Sequence, residues 1–198
     1  MPISHKNKIV FVHIPKNAGT SITISKELGF THVEHKSAKS YIIDTPDYWR
    51  DYLKVAIVRN PWDRFVSCYE YARMPFSYWH SNDERQSEFG PHSDYEVIKE
   101  LKFTEFARSF AARQVPLSHP CWSPQYRWIC DDNFKILVDK VFRYEDISTD
   151  KEFKNIFGNI EKVNSSNRGN YKDYYDEETK EIVRETYKKD IEIFNYSF

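Results

Sequence analysis

The sequence predicts an α/β fold in which helices flank a mainly parallel central sheet in three layers. Two short, mostly apolar runs, residues 9–14 and 54–58, are rich in β-branched side chains, which is typical of strands buried on both faces. Each run is followed by a loop and then by a helical pattern. This repeated order favours a parallel sheet, because parallel neighbours need a crossover connection that is usually helical.

The elements of the first half of the chain rest on local start and stop signals. Gly29 favours a left-handed stop for the first helix, and Thr45 and Asn60 are residues of the kind that cap helix N-termini. The predicted elements are helices over 20–28, 46–53 and 62–73 and a weaker strand over 31–35.

The second half begins with a long excursion over residues 74–91, which is rich in Pro, Ser, Asn and His and which we expect to form a mobile lid. Thr104 is expected to restart a helix that begins near Asp94, and Thr149 with Glu152 has capping-box spacing. The predicted elements are helices over 94–114, up to Cys130, over 149–158 and from Asp176 onward, with a strand region over 136–142.

Composition limits the function classes. Lys and Arg number 29 against 30 Asp and Glu, so the net charge is −1 and a general nucleic-acid binder is disfavoured. The longest apolar runs have four residues, far short of the roughly 20 that a membrane span needs. We expect one domain over residues 1–198, and the composition does not indicate its oligomeric state. Three cysteines without metal-type spacing and no apolar leader predict free thiols and a cytoplasmic location.

The loop after the first strand has the composition of an anion-binding turn. Gly19 allows a ligand to approach the backbone, Lys16 adds a cation, and Thr20 and Ser21 add hydroxyl donors at the start of a helix. The loop differs from the phosphate loop of P-loop NTPases, in which the Lys directly precedes a Ser or Thr. A nucleoside triphosphate with magnesium is therefore not the ligand that this loop favours.

The loop after the second strand carries a second candidate anion contact. Arg59 follows the carboxyl end of a parallel strand, where open α/β sheets bind ligands. Ser67 lies two helical turns further on. Together these residues suit a phosphate that is separate from the first anion.

Residues 13–21 and 58–67 resemble, as a pair, the 5′-phosphosulfate and 3′-phosphate motifs of PAPS-dependent sulfotransferases. The sequence is similar to the family-2, carbohydrate-sulfotransferase-like type, especially its compact bacterial members, and the likeness extends through 34–38, 125–131, 138–147 and 174–198. The resemblance implies a P-loop-like fold, PAPS (3′-phosphoadenosine 5′-phosphosulfate) as co-substrate and no metal. The cofactor-binding residues that it implies are Lys16, Asn17, Ala18, Gly19, Thr20, Ser21, Arg59, Ser67 and, in a late loop, Arg168.

Two residues are the candidate catalytic groups. By analogy with phosphoryl transfer, Lys16 suits the leaving oxygen, which gains charge as the bond to sulfur breaks. His35 is the expected general base, since an imidazole titrates near neutral pH and matches the family's His-x-Ser/Thr-Ala-like stretch. His32, Glu34 and Lys36 are the alternatives.

The predicted activity is transfer of a sulfuryl group from PAPS to a hydroxyl, or less readily an amine, of a glycan or hydroxylated small molecule. Two rival functions stay open: a P-loop kinase-like phosphotransferase, and a non-catalytic nucleotide-binding module that keeps Lys16 and Arg59 but lacks a working base. The sequence does not identify the acceptor.

Overall fold

The computed structural model describes residues 2–30, 34–75, 91–160 and 168–198. Their strands form one four-stranded sheet in the order β1, β2, β3, β4. These strands are β1 (Ile3–Ser4), β2 (Ile9–Val12), β3 (Leu53–Val58) and β4 (Lys140–Arg143).

Helices surround this sheet along most of the described chain. They are α1 (Gly19–Thr23), α2 (Ala38–Asp44), α3 (Pro46–Asp51), α4 (Pro61–Ala72), α5 (Tyr95–Ile98), α6 (Phe103–Ala111), α7 (Tyr126–Ile129), α8 (Lys151–Phe157), α9 (Glu177–Thr186) and α10 (Lys188–Phe194). Two 3₁₀ turns, Pro120–Trp122 and Tyr171–Tyr174, complete the described elements.

The three longer strands are parallel, which confirms the predicted fold class. In the pairing of β2 with β3, Phe11 lies opposite Val55; β3 in turn pairs with β4, with Ile57 opposite Phe142. The short β1 is antiparallel to β2. The carboxyl ends of β2, β3 and β4 therefore meet at one edge of the sheet, which is where both candidate anion loops begin.

Alternating side chains of the strands build two cores, one on each face of the sheet. On one face, Val12 and Val58 pack with Tyr41 of α2 and Ile129 of α7. On the other face, Phe11 and Ile57 contact a group that consists of Ile22 of α1 and Phe153 and Phe157 of α8. The described chain thus has the expected order of helix, sheet and helix.

A third, strongly aromatic core lies between α4, α6 and α9. Phe65 is its centre, with its ring 5.5 Å from Phe106, 5.8 Å from Trp122 and 6.1 Å from Tyr187 between ring centroids. Burying aromatic rings at these separations stabilises the fold through their large apolar area. Because α4 carries Ser67 two residues beyond Phe65, this core fixes the helix that forms one wall of the site.

Several helix ends differ from the sequence predictions. The first helix ends at Thr23 rather than at 28, although Gly29 does have a positive φ of 61°. Thr45 does not cap α3 with its side chain; its hydroxyl instead donates to the Tyr41 carbonyl oxygen at 3.1 Å. That bond belongs to the end of α2, a helix that the sequence analysis missed and that Ser37 caps.

Later boundaries show the same kind of difference. Thr104 lies inside α6 rather than before it, and Asp150, not Thr149, caps α8. The terminal helix begins after Asp176 as predicted but is interrupted at Tyr187. Asn60 caps α4 as predicted, with its side chain accepting from the Trp62 N–H.

Two predicted segments fall wholly or partly outside the described residues. The weak strand over 31–35 is described only at Glu34 and His35, which have no strand pairing, and the 74–91 excursion only at its ends. No helix in the described ranges is long and apolar enough to cross a bilayer.

Candidate functional site

A cavity of about 900 Å³ opens at the carboxyl edge of the sheet. Its walls come from the loops that follow β2, β3 and β4, from α4 and from the segments near His92 and His119. Eight of the ten predicted site residues line it: Lys16, Ala18, Gly19, Thr20, Ser21, His35, Arg59 and Ser67. The remaining two, Asn17 and Arg168, are held by other side chains next to it.

The Lys16 loop has an unusual backbone. Lys16 and Ala18 both take left-handed conformations, with φ of 69° and 62°. Non-glycine residues seldom adopt this region, and such residues concentrate at ligand-binding sites. The Lys16 Nζ lies 3.8 Å from the centre of the Tyr71 ring, so its ammonium is partly covered by an aromatic face.

The ammonium of Lys16 loses its proton more easily than an ordinary lysine. Burial lowers the pKa of Lys16 to about 8; Cys68 and Cys121 act against this shift, and Arg59 and Arg168 add to it. At neutral pH the side chain is still mostly charged. It therefore provides a weakly hydrated cation directed at the cavity.

Gly19 is required by its neighbour as well as by any ligand. A Cβ at this position would lie 1.9 Å from the His13 Cδ2, far inside van der Waals contact. His13 itself is buried and stacks on Phe11 with ring centroids 5.7 Å apart. The turn can thus close over the His13 ring only with glycine.

Asn17 connects the first anion loop to the interior. Its Nδ2 donates to the Ile57 carbonyl oxygen at 2.7 Å and to Gln125 Oε1 at 2.8 Å. The same Gln125 Oε1 accepts from the Arg59 N–H, and Gln125 Nε2 donates to the Arg59 carbonyl oxygen, both at 2.8 Å. Gln125 therefore fixes the separation between the two candidate anion loops.

Gln125 is in turn fixed by the last helix. Asp190 is fully buried in α10, and its carboxylate accepts from the backbone N–H groups of Gln125 and Tyr126 at 2.7 and 2.8 Å. Burial raises the pKa of Asp190, and these bonds oppose that shift. Neither role is predictable from the sequence, because Gln125 and Asp190 are each a single polar residue in an ordinary helical or loop pattern.

Arg59 is held at three points. Its Nε donates to Asp63 at 2.7 Å, its Nη1 donates to the Lys16 carbonyl oxygen at 3.0 Å, and its guanidinium lies 4.1 Å from the Tyr144 ring centre. Arg168 forms a short ion pair with the other Asp63 oxygen. Burial raises the pKa of Asp63, but the two arginines outweigh burial and the net pKa is lowered.

Arg64, a second arginine of the segment 58–67, supports the Lys16 loop from the protein interior. Arg64 is buried, and it donates from Nε to the Pro15 carbonyl oxygen at 3.1 Å and from Nη1 to that of Ser123 at 3.0 Å. It does not line the cavity. Its positive charge lies beneath the Lys16 loop and adds to the potential that an anion would meet there.

His35 has the geometry of a base. Its Nδ1 lies 2.9 Å from the His13 carbonyl oxygen, and because a carbonyl can only accept, Nδ1 must carry the proton. The lone pair of the neutral ring is then on Nε2. Burial lowers the pKa of His35, and the bond to His13 only partly offsets the shift, which favours the neutral ring.

The alternative base candidates are less well placed. Lys36 pairs with Asp44 at 3.0 Å and lies 3.9 Å from Glu34, and neither Lys36 nor Glu34 lines the cavity. His32 lies outside the described residues.

One cluster in the described chain has the composition of a metal site. The ligand atoms of His92, His119 and Cys121 lie within 4.8 Å of one another. However, the Nδ1 of His92 accepts from the Asp94 N–H, and that of His119 accepts from the Cys121 N–H. Metal-binding histidines instead donate their second ring N–H to an acceptor, so this donor set fits a metal poorly.

The parallel sheet and the two connected loops define an α/β protein with a cavity at the carboxyl edge of its sheet, lined by Lys16 and Arg59. The comparison with protein families gives the class more narrowly. A model of the sulfotransferase family matches residues 1–197, and the chain belongs to that family, in its family-2 type. No curated protein and no solved structure matches the chain. The protein is therefore a transferase of sulfuryl groups.

Proposed function

We propose that this protein transfers a sulfuryl group from PAPS to a hydroxyl of a glycan or hydroxylated small molecule, with His35 as general base. The observation that carries the proposal is that Lys16, His35, Arg59 and Ser67 line a single cavity. Sulfuryl transfer from PAPS needs a base for the acceptor hydroxyl and separate contacts for the two anionic ends of the donor.

The two anion loops suit the two ends of the donor. The Lys16 loop suits the 5′-phosphosulfate, since it combines an ammonium with the hydroxyls of Thr20 and Ser21. Arg59 and Ser67 suit the 3′-phosphate. Asn17 supports the loop through Gln125, and Arg168 acts through Asp63, which also holds Arg59.

In the proposed reaction, an acceptor oxygen forms a bond to sulfur while the bond from sulfur to the 5′-phosphate oxygen breaks. His35 Nε2 takes the proton of the attacking hydroxyl and later releases it to solvent. Lys16 stabilises the leaving phosphate oxygen as its charge develops. The products are a sulfate ester and adenosine 3′,5′-bisphosphate.

Two observations disfavour the rival functions. A kinase needs a carboxylate to hold magnesium, but the motif carboxylate of Asp63 is already bonded to Arg59 and Arg168. A non-catalytic module needs no base, whereas His35 lines the cavity in the tautomer that leaves Nε2 able to accept a proton.

Calorimetry with three nucleotides tests the donor assignment. Adenosine 3′,5′-bisphosphate should bind at least roughly tenfold more tightly than AMP, since one charge-assisted contact contributes about 1.5–3 kcal/mol. Arg59→Ala should remove most of that advantage, whereas Arg127→Ala, an exposed arginine of α7, serves as the matched control. Preference for ATP with a magnesium requirement would overturn the proposal in favour of a kinase.

A cytoplasmic location, a single domain over residues 1–198 and an acceptor-side lid over 74–91 remain predictions. Hydrogen exchange tests the lid: we expect weak protection of this segment without ligand and stronger protection when donor product and acceptor are both bound.

A further inference from the structure

His119 lies on the cavity wall next to the proposed base. Its ring centroid is 6.4 Å from that of His35 and 6.5 Å from that of Tyr71, and all three residues line the cavity. The ring is not part of either phosphate motif. It takes no part in the proposed binding of the donor or in the proton transfer to His35.

The tautomer of His119 is fixed by a backbone bond. His119 precedes the 3₁₀ turn Pro120–Trp122, and its Nδ1 accepts from the Cys121 N–H at 3.1 Å. In a neutral ring the proton is then on Nε2. Burial and, to a smaller extent, the electrostatic effect of His92 lower the pKa of His119 to about 4, so the ring is neutral at pH 7.

The Nε2–H of His119 makes no hydrogen bond to any residue in the described part of the chain. His35 has the opposite arrangement, with its proton on Nδ1 and its lone pair on Nε2. The cavity therefore has one imidazole acceptor and one imidazole donor on neighbouring walls. The two ring centroids lie 6.4 Å apart, a separation at which one oxygen can lie within hydrogen-bond reach of both rings.

We propose that His119 donates its Nε2–H to the acceptor oxygen that attacks sulfur, while His35 takes the proton of that oxygen. This inference rests on the proposed sulfuryl transfer and extends it to a second residue that contacts the acceptor. His119 keeps its proton throughout, so it orients the nucleophile and is not a second base.

The donor–acceptor pair selects the chemical class of the acceptor. A hydroxyl has one hydrogen for His35 and two lone pairs, of which one attacks sulfur and the other accepts from His119. A neutral amine has a single lone pair, which cannot attack sulfur and accept from His119 at once. The pair therefore favours alcohols over amines.

Three variants separate this contact from the structural role of His119. His119→Asn keeps an oxygen that can accept from the Cys121 N–H, as a good capping residue does, but it is too short to reach the acceptor. His119→Gln restores a longer amide donor. His119→Ala loses both contacts. Melting temperature and affinity for adenosine 3′,5′-bisphosphate should be unchanged in His119→Asn.

The kinetic test uses the first alcohol acceptor found by screening glycans with labelled PAPS, together with its amino counterpart. His119→Asn should lower kcat/KM for the alcohol roughly tenfold, the worth of one hydrogen bond, and should narrow the preference for alcohol over amine. His119→Gln should recover part of that loss. An unchanged preference in His119→Asn would overturn the inference.

Histidine ¹⁵N NMR of the complex with adenosine 3′,5′-bisphosphate gives a readout that needs no acceptor. We expect His119 as the Nε2–H tautomer and His35 as the Nδ1–H tautomer at pH 7. A charged or Nδ1–H His119 would refute the inference whatever the kinetics show. Failure of the wild-type protein to bind the bisphosphate would instead contradict the proposed function, so the two failures are distinguishable.

Discussion

The lowered pKa of Lys16 gives the proposed enzyme an alkaline limit that can be tested by one substitution. If the ammonium must be charged to stabilise the leaving oxygen, activity falls as Lys16 loses its proton. With a pKa of about 8 in the free protein, about nine-tenths of the molecules are protonated at pH 7 and about a tenth at pH 9. We therefore expect kcat/KM for the donor to fall about tenfold between these values.

Lys16→Arg tests whether the charge of Lys16 sets this alkaline limit. A guanidinium keeps its charge up to a pH of about 12, so the alkaline limb should disappear even though the different shape lowers the absolute rate. In the wild type, the alkaline decrease of kcat should occur at higher pH than the alkaline decrease of kcat/KM, because the bound anionic donor stabilises the charged lysine.

Activity is measured as the initial rate of product formation with labelled PAPS at constant ionic strength. Cys68→Ser is the control. Burial raises the pKa of the Cys68 thiol, but its bond with Cys121 and the cations Arg64, Lys16 and Arg59 outweigh burial and lower it to about 7. A limb that persists in Lys16→Arg but disappears in Cys68→Ser would refute the assignment to Lys16.

Three further predictions concern the support of the site. Gln125→Leu should weaken binding of adenosine 3′,5′-bisphosphate by about tenfold or more in calorimetry, because it leaves buried groups of both loops unpaired. Gly19→Ala should lower the free energy of unfolding by about 1–3 kcal/mol in denaturant titrations, since the new Cβ meets the His13 ring, whereas Gly169→Ala should change it little. Because burial lowers the pKa values of His13 and His119 in the folded state, the unfolded chain binds more protons than the fold below about pH 6.5. The free energy of unfolding should therefore fall as the pH drops below that value, and it should fall less steeply in His119→Asn. A melting temperature that does not fall with decreasing pH would contradict this.

The strands and the two anion loops were predictable because their signals are local. A buried parallel strand is a short apolar run, as in β2 and β3, and the residue after it lies at the ligand edge whatever the rest of the chain does. Helix ends were less predictable. Thr45 has the residue type of a cap, but α2 ends there, and its hydroxyl bonds back to the Tyr41 carbonyl oxygen instead.

The hydrogen bonds that hold the two anion loops and His35 in place were not predictable from the sequence. Gln125 joins Asn17 and Arg59, which are 108 and 66 residues away along the chain. Nothing in the residues next to a glutamine indicates which distant backbone it will meet. The tautomer of His35 was not predictable for the same reason, because it depends on a bond to the carbonyl oxygen of His13, which lies 22 residues earlier.

The residues that support the two anion loops are bonded to the last part of the chain, so we expect the order of synthesis to decide when the site forms. Both motifs have been synthesised once translation reaches Ser67. Asp190 and Ser197 follow about 120 to 130 residues later, and the Ser197 carbonyl oxygen accepts from Asn60 Nδ2 at 2.8 Å. At a translation rate of about 5–20 residues per second, these supporting residues are synthesised roughly ten seconds after the loops. Donor binding should therefore appear late and in a single step, and a nascent chain that stalls before Asp190 should carry both motifs without a working site.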